Sequence, residues 1–420
     1  MIPMRIRWSV LAIAGVSSLL TVPAGAQQAN PSSAAYGMGD NYTAVARDHH
    51  AIAWNAAALG LKGTRRFSMG LLGLGSDFAF SPVALSDFGG GGTLSKATRE
   101  SWLTAIRTSG SQTGEGVGGL NLMSVSFGRV GLQASTVVAS RMDLNPDAME
   151  ALLFGNAGLT GQARTLNFSG SSLRVAALGT LAGSVAIPIG STRDVEQSIG
   201  LTGKIVTGLF SAVAQDAGTA IAPSAVDVKF PIVHTHTDSI GSGGSGFGAD
   251  LSIIRRSKGM TIAATVMNVV NTFVWDAGAM VARTGTARFD GNANSADFDE
   301  KAYSTAPAAV KTAVESYVIK PTLSLGLART VGSGLTIAAD LRQQMGDSTT
   351  ILLGPRTHAG VGFELHGIPG IRLRGGASYV TGGFSVSGGA GLQLGGLSIG
   401  GAIRYRQVNG AGTVGVMFSL

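Results

Sequence analysis

The sequence predicts an all-β fold, a transmembrane antiparallel β-barrel of about fourteen strands, and three observations carry that prediction. The last third of the chain falls into segments of about ten residues that alternate apolar and polar with period two. The chain holds 63 Gly in 420 residues while only 13% of residues are charged. That is roughly twice the usual share of glycine and about half the usual share of charge. The closing segment places Val414, Val416, Phe418 and Leu420 on one face of an extended strand, with no helix after it to cover them. Such a strand needs an apolar surrounding or a closed sheet, and a barrel in lipid supplies both.

Residues 1–26 read as a secretory signal. Arg5 and Arg7 give the positive start, Trp8 to Val22 the apolar run, and Pro23-Ala24-Gly25-Ala26 the small-residue site, with cleavage expected after Ala26. The run is shorter than the ~20 residues a spanning helix needs. The longest later apolar stretch, Met260 to Trp275, is broken by Asn268 and Asn271. With 0 Cys the chain has no disulfide, no thiolate chemistry and no lipid anchor on cysteine. The formal charge of +7 falls to +5 once Arg5 and Arg7 are removed, and its scatter gives no nucleic-acid footprint.

The early strands are expected at Arg66–Gly75, Phe78–Leu85, Asn121–Arg129, Gly131–Ala139, Ser172–Pro188, Ser198–Ala214, Gly246–Arg255 and Met260–Asn268. The later ones alternate more clearly. Leu323, Leu325 and Leu327 lie opposite Thr322, Ser324 and Gly326, and Val361, Phe363 and Leu365 lie opposite Gly362, Glu364 and His366. The same holds for Leu335–Arg342, Ile371–Tyr379, Phe384–Leu394 and Leu397–Arg406, joined by short turns such as Thr381-Gly382-Gly383 and Gly395-Gly396. The terminal strand is expected to close the barrel against the first, near Arg66–Gly75, with its apolar face to lipid.

Four stretches interrupt the pattern. Leu94 to Ile106 spaces its apolar residues as a helix. Leu144 to Phe154 reads as a short helix capped by Asn145, with Pro146 in its first turn and Gly155 at its end. Asp276 to Ser316 is a long polar insertion ending in a helix from Pro307 to Glu315, and Ala214–Gly246 is another long loop. Long loops alternating with tight turns match barrel asymmetry.

Asp340, Arg342, Glu364, His366, Arg372, Arg374, Arg404 and Arg406 all fall opposite the apolar stripe. A Lys or Arg facing lipid at mid-depth costs about 2–4 kcal/mol, so these side chains are expected in the lumen. There they form either a path for anionic or amphipathic solutes or a structural ladder of ion pairs. Trp102, Leu103 and Ile106 form a candidate apolar ligand site on a loop helix that would otherwise expose them. His234 and His236 share a strand face as a possible metal pair, but with only Asp238 as a loose third ligand the expectation is no metal. His49-His50 is expected to serve a turn or the core. Neither Gly243-Gly244-Ser245-Gly246 nor Gly388 to Gly391 has the context of a nucleophile elbow or a phosphate loop. The chain is therefore expected to be no enzyme and to hold no cofactor.

Residues 35–60 do not alternate. Gly37, Met38, Gly39, Ala44, Ala46, Asp48, Ala51, Trp54, Asn55, Ala57 and Leu59 match, in order, a glycine-rich stretch, an Ala-x-Ala-x-Asp element and a Trp-Asn-x-Ala-x-Leu motif. This pattern resembles the N-terminal region of the FadL-like outer-membrane superfamily, and most closely its PorV-type branch. Ala56 and Ala58 stand where the family has Pro and Gly. Gly200 to Lys204, Gly248 to Leu251 and Val266 to Val269 resemble internal strands of that branch, and Pro321 to Asp340, His358 to Glu364 and Leu373 to Tyr379 its closing strands.

The resemblance implies that residues 27–60 fold inside the barrel of residues 61–420 as a hatch, with Gly37, Met38, Gly39, Asp48, Trp54 and Asn55 setting its geometry. It implies a location in the bacterial outer membrane and passage of small hydrophobic or amphipathic compounds. The alternative it implies is a PorV-type barrel that binds a secreted protein without transporting anything. Outer-membrane lipid is an expected partner. So is the outer-membrane assembly machinery, because the terminal strand resembles the signal that machinery reads.

Overall fold

The computed structural model describes residues 32–84, 94–155, 158–162, 164–290, 294–346, 349–381, 383–408 and 411–419, the side chains of 408 and 411–419 excepted. The expected signal and the first residues of the expected hatch lie outside them. Barrel strands are β1 (Phe67–Ser81), β2 (Gln112–Phe127), β3 (Val130–Leu144), β4 (Ser172–Ser191), β5 (Val195–Gln215), β6 (Gly244–Ser257) and β7 (Met260–Asn271). The second half of the wall is β8 (Thr322–Val331), β9 (Leu335–Gln344), β10 (Thr357–Ile368), β11 (Ile371–Val380), β12 (Gly383–Leu394), β13 (Leu397–Val408) and β14 (Ala411–Ser419).

Each strand pairs antiparallel with the next. β14 returns to β1 through Leu74↔Phe418, Gly75↔Met417 and Ser76↔Val416, closing the ring. Closure removes the free edges that an open sheet of this width would expose.

Period two sorts the side chains. On β10, Val361, Phe363 and Leu365 point outward, as do Phe384 and Val386 on β12 and Ile403 and Tyr405 on β13. Asp340, Arg342, Arg404 and Arg406 point inward and are buried. No helix among the described residues is long and apolar enough to cross a membrane.

Short turns join β2–β3, β4–β5, β6–β7, β8–β9, β10–β11 and β12–β13 at one end, several through left-handed residues such as Gly128 and the Lys258-Gly259 pair. Segments 82–111, 145–171, 216–243 and 272–321 join strands at the other end. Even strand number and alternating loop length put both strand termini at the turn end.

Two sequence expectations change. Arg66–Gly75 and Phe78–Leu85 are one strand, β1. Leu72 adopts φ 49° opposite a matching skip at Leu122, so Leu71 and Leu72 both face outward and the alternation restarts out of phase without ending the strand. The insertion at 276–316 is not simply a polar loop. It contributes short strands at Met280–Arg283 and Glu300–Ala302 to the main sheet, and others to a separate five-stranded sheet at the loop end. Its helix Ala308–Ser316 enters the barrel mouth. Val310, Val314 and Tyr317 pack there with Val137, Leu178, Val206 and Val213 of the wall. Small and sparsely spaced apolar residues such as Ala282, Ala306 and Ala313 carry this packing, and they leave little periodic signal.

Two loop helices sit beside the mouth. Lys96–Ser109 is capped by Ser95, and Pro146–Phe154 by Asn145, whose Oδ1 accepts the Ala148 N–H at 2.8 Å. Glu150 in the second is 1% exposed and binds Arg107 at 2.6 Å, Arg164 at 2.5 Å and the Leu159 N–H. Burial alone raises its pKa, but the hydrogen bonds from Arg164 and Leu159, with both guanidinium charges, outweigh burial and hold the carboxyl below its ordinary range. A depressed folded pKa contributes stability above the unfolded value and loses it as pH falls through the folded one. We expect the fluorescence of Trp102, which packs at this helix pair, to shift red on acidification below about pH 4. Glu150→Gln should lack that transition; an unchanged acid profile in the variant would assign it elsewhere.

Candidate functional site

The lumen is filled from both ends, and the filling defines two spaces. Residues 32–61 lie inside the wall. Ser33–Gly37 form a helix capped by the Ser32 hydroxyl, Ala51–Trp54 a second, and Ala56–Gly60 a 3-10 turn. Asn55 caps that turn. Its Oδ1 accepts the Ala57 N–H at 3.1 Å while its Nδ2 donates to the Ile253 carbonyl. Trp54 is buried edge-on to Tyr42, and its carbonyl accepts from Thr265.

The charged wall residues hold this segment. One oxygen of Asp340 accepts from the Tyr42 N–H, the Thr43 N–H and the Thr43 hydroxyl at 2.9, 2.9 and 2.6 Å. Arg342 donates to the Asp40 carbonyl at 2.7 Å and lies over the Trp54 ring. Arg404 joins Asp40 at 2.7 Å and Asp77 at 3.3 Å, its guanidinium 3.8 Å from the Tyr36 ring centroid. Arg406 stands 3.9 Å from Asp77. Gly39 and Asp40 both take left-handed φ, which turns the chain so that Asp40 meets Arg404. Of the two readings open for the lumen charges, these four residues follow the ladder: each engages the inner segment or a neighbouring carboxylate.

Glu364, Arg372 and Arg374 sit lower, around a basin of about 420 Å³ at the turn end, with His366, Arg47, Asp48, His49, His50 and Arg65. Arg374 pairs with Glu364 at 2.7 Å, Arg65 with Asp48 at 3.6 Å, and Arg372 donates to Gln393 at 3.2 Å. Arg47 donates to the Ala44 and Ala46 carbonyls. Burial, and secondarily Arg256, lowers Arg47 to about 10, which leaves it charged at neutral pH. Burial pushes His49 down to about 4 and, with His49 beside it, lowers His50 well below the usual imidazole value, so both are neutral there.

The second space is a chamber of about 100 Å³ between the inner segment and the mouth. Ile52 and Ala53 form its floor, Ile319 and Leu353 its roof, and Val137, Leu178, Val206 and Met267 much of its wall. Its one charged pair is closed on itself. Lys204 Nζ lies 2.7 Å from Asp250 and donates to Asn268 Oδ1 at 3.1 Å, while the Asn268 N–H donates to Asp250 at 2.7 Å. A bulge makes this possible. The β6–β7 register slips between Ala249 and Leu251, and Asn268 takes φ 52°, so Met267 and Asn268 both reach the chamber. Three separate sequence stretches, around Lys204, Asp250 and Asn268, thus meet at one point that the sequence reading named without joining.

Trp102, Leu103 and Ile106 are placed differently from an open ligand site. Leu103 and Ile106 are fully buried, and Ile106 packs with Val83 and Met149. His234 and His236 flank Glu300 at 3.7 and 3.6 Å, but Arg283 occupies the same carboxylate at 2.7 Å and also reaches His234. Among the described residues no group of three or more side chains is arranged to hold a metal. Asp40, Asn41, Thr43 and Asp77 were missed by the sequence reading. Asp77 lies on the inward phase of β1 but fell in the gap between the two strands expected there.

With this geometry in view, solved structures give the fold a relative. The chain is similar to the toluene transporter TodX of P. putida, at 12% identity over 94% of this chain and 98% of that one, TM-score 0.52. It is similar to the monoaromatic hydrocarbon channel CymD, at 9% identity over 94% and 97%, TM-score 0.51. A Pseudomonas aeruginosa FadL homologue aligns at 12% identity over 95% and 98%, TM-score 0.48. The fold is that of TodX and CymD. At these identities the likeness is one of fold alone. No family model and no curated protein matches the chain.

Proposed function

We propose that this FadL-like barrel resides in the bacterial outer membrane and passes small hydrophobic compounds across it. The chamber carries the reading. It is a space inside the barrel, lined by apolar residues with Gln133, Ser135, Thr180 and Thr322 among them, roofed by loop residues and floored by a segment that is not part of the wall. The outward belt of Phe, Leu, Ile and Val supports the location, and the likeness in fold to TodX, a toluene transporter, and CymD, a monoaromatic hydrocarbon channel, supports the cargo. A cavity of about 150 Å³ accepts one benzene, so a chamber of about 100 Å³ must widen before a ring fits. A compound arriving through the loops would therefore displace the roof at Ile319 and Leu353, occupy the chamber, and leave when Ile52 and Ala53 shift.

Cells expressing the barrel should take up labelled toluene or octanoate faster than cells without it. Val206→Phe, which fills the chamber from the wall, should return uptake to the background level while the barrel still assembles. Equal uptake with and without the protein would sink the proposal.

The PorV-type reading, a barrel binding a secreted protein, has one observation behind it. The five-stranded loop sheet stands outside the barrel and leaves Phe289 exposed. Recovery of a stoichiometric protein partner from detergent extracts, lost when that sheet is deleted, would favour it.

A further inference from the structure

The basin at the turn end has a charge balance and a rim that the passage reading does not use. Arg47, Arg65, Arg372 and Arg374 line it against two carboxylates, Asp48 and Glu364. Those carboxylates pair with Arg65 and Arg374. Among the described residues the hydrogen-bond partners of Arg47 and Arg372 are neutral, main-chain carbonyls for one and Gln393 for the other, while Asp48 and Glu196 also act on the Arg47 charge. The Nδ1 atom of His366, buried in the same basin, has no hydrogen-bond partner among the described residues. Two guanidinium charges thus face an open space with room for a further anionic group.

The rim shows where that group comes from. Arg372 pairs across the sheet with Gly391, and Gly391 with Gly400, so no wall side chain stands beside the guanidinium on those two strands, although Ser33 of the inner segment fills the space over Gly400. A Cβ on Gly391 would stand 3.0 Å from Arg374 Nη1. The hairpin below ends in Gly395-Gly396, where an added Cβ at either position meets no atom within 4 Å, so the wall is low there. The same basin runs on to Leu392 and Ile399, cross-strand partners whose side chains are outward and 55% and 46% exposed. One continuous recess therefore joins inward guanidiniums to the outer apolar face over a side-chain-free turn. A water-soluble anion would use only the first part, whereas an anion carrying acyl chains would use both.

We infer that this recess holds the phosphodiester head group of a phospholipid from the turn-side leaflet. Its phosphate lies between Arg372 and Arg47, and its chains lie outside along Leu392, Leu394 and Ile399. A phosphodiester is a monoanion, which suits two guanidiniums hydrogen-bonded only to neutral groups and flanked by two paired carboxylates better than a dianion would. Charge-assisted bonds from a guanidinium fork to phosphate oxygens supply the specificity. The inference rests on the barrel sitting in a membrane and not on passage of any compound.

The test is native mass spectrometry of the full, delipidated protein in detergent, titrated with phosphatidylglycerol. Diacylglycerol of the same chains and free glycerol 3-phosphate are the comparators. One phosphatidylglycerol should bind at low occupancy of other sites, and each comparator should bind at least about tenfold more weakly. Arg372→Gln should weaken phosphatidylglycerol by about tenfold, and the Arg47→Gln/Arg372→Gln pair should abolish the defined complex. Arg47 also binds main-chain carbonyls of the inner segment, so the single Arg372→Gln variant decides if the pair fails to fold. Equal binding of diacylglycerol, equal binding of glycerol 3-phosphate, or wild-type binding by Arg372→Gln would each overturn the assignment. Continued fractionation of the variant with membranes separates a failed lipid site from a failed membrane placement.

Discussion

Replacing Arg404 with methionine should release the inner segment while the barrel stays closed. Arg404 is 4% exposed and stands between Asp40 and Asp77, themselves 5% and 7% exposed. Methionine keeps much of the volume but leaves Asp40 buried without its cation and Asp77 with only Arg406 at 3.9 Å. Removing one partner of a buried ion pair costs about 3–5 kcal/mol, and the lost stack on Tyr36 adds about 0.5–2 kcal/mol. The wall should survive, because Arg404 contributes to it through backbone ladders with β12 and β14 that the substitution leaves intact. The measurement is limited proteolysis of assembled barrels from the turn end. Cleavage within 32–61 should become fast in Arg404→Met and stay slow in the wild type. Arg404→Lys should fall between, since it keeps the charge but loses the planar fork that reaches both carboxylates. Adding Asp40→Asn and Asp77→Asn to Arg404→Met should restore much of the protection. Equal protection in Arg404→Met and wild type would remove the clamp from the account.

Gly376→Val should have a comparable effect by a steric route. A Cβ at Gly376 would collide with the main chain of Met38 and Gly39, and one at Gly362 with the Met38 carbonyl. These are backbone obstacles, which cannot rotate away. On the other side of the lumen a Cβ at Gly200 would strike the Ala56–Ala57 backbone. The inner segment therefore rests on glycine windows in β5, β10 and β11. Valine suits an extended strand, so Gly376→Val should leave β11 paired and displace Met38 and Gly39 instead. The loss of Asn41 and Asp340 contacts nearby should make the displacement cooperative. Increased ion conductance of single barrels in planar bilayers is the readout. A conductance equal to wild type would show that the segment tolerates the side chain. The high glycine content thus has a cause beyond the short turns, in the seating of this segment.

The wall was legible because lipid and lumen impose opposite demands on alternate residues. Val361, Phe363 and Leu365 against Gly362, Glu364 and His366 could be read without any structure. The inner segment was legible only by resemblance, since short helices of three to five residues at Ser33–Gly37, Asp48–His50 and Ala51–Trp54 carry no periodicity. The site was legible as a list of inward charges and not as contacts. Asp340 and Thr43 are 297 positions apart, and no local pattern announces that pairing. The chamber was invisible for a related reason. It is bounded by residues from the inner segment, six strands and two loops, and each contributes only one to three side chains, apolar and polar mixed.

That separation in sequence has a consequence for the order in which the molecule forms. The segment at residues 32–61 leaves the ribosome before any of the wall, yet its partners Asp340 and Ser387 come 297 and 350 positions later, and Arg404 is further still from Asp40. Closing loops of that length is entropically slow, and contacts so distant in the chain place the fold at the slow end of the kinetic range. The segment must therefore wait, unpaired and rich in Ala, Tyr and Trp, until β9 to β13 exist to receive it. Because those strands are also the last before closure, the barrel either curls around the segment or shuts without it. Its correct seating is decided in the final stage of assembly and not in the first.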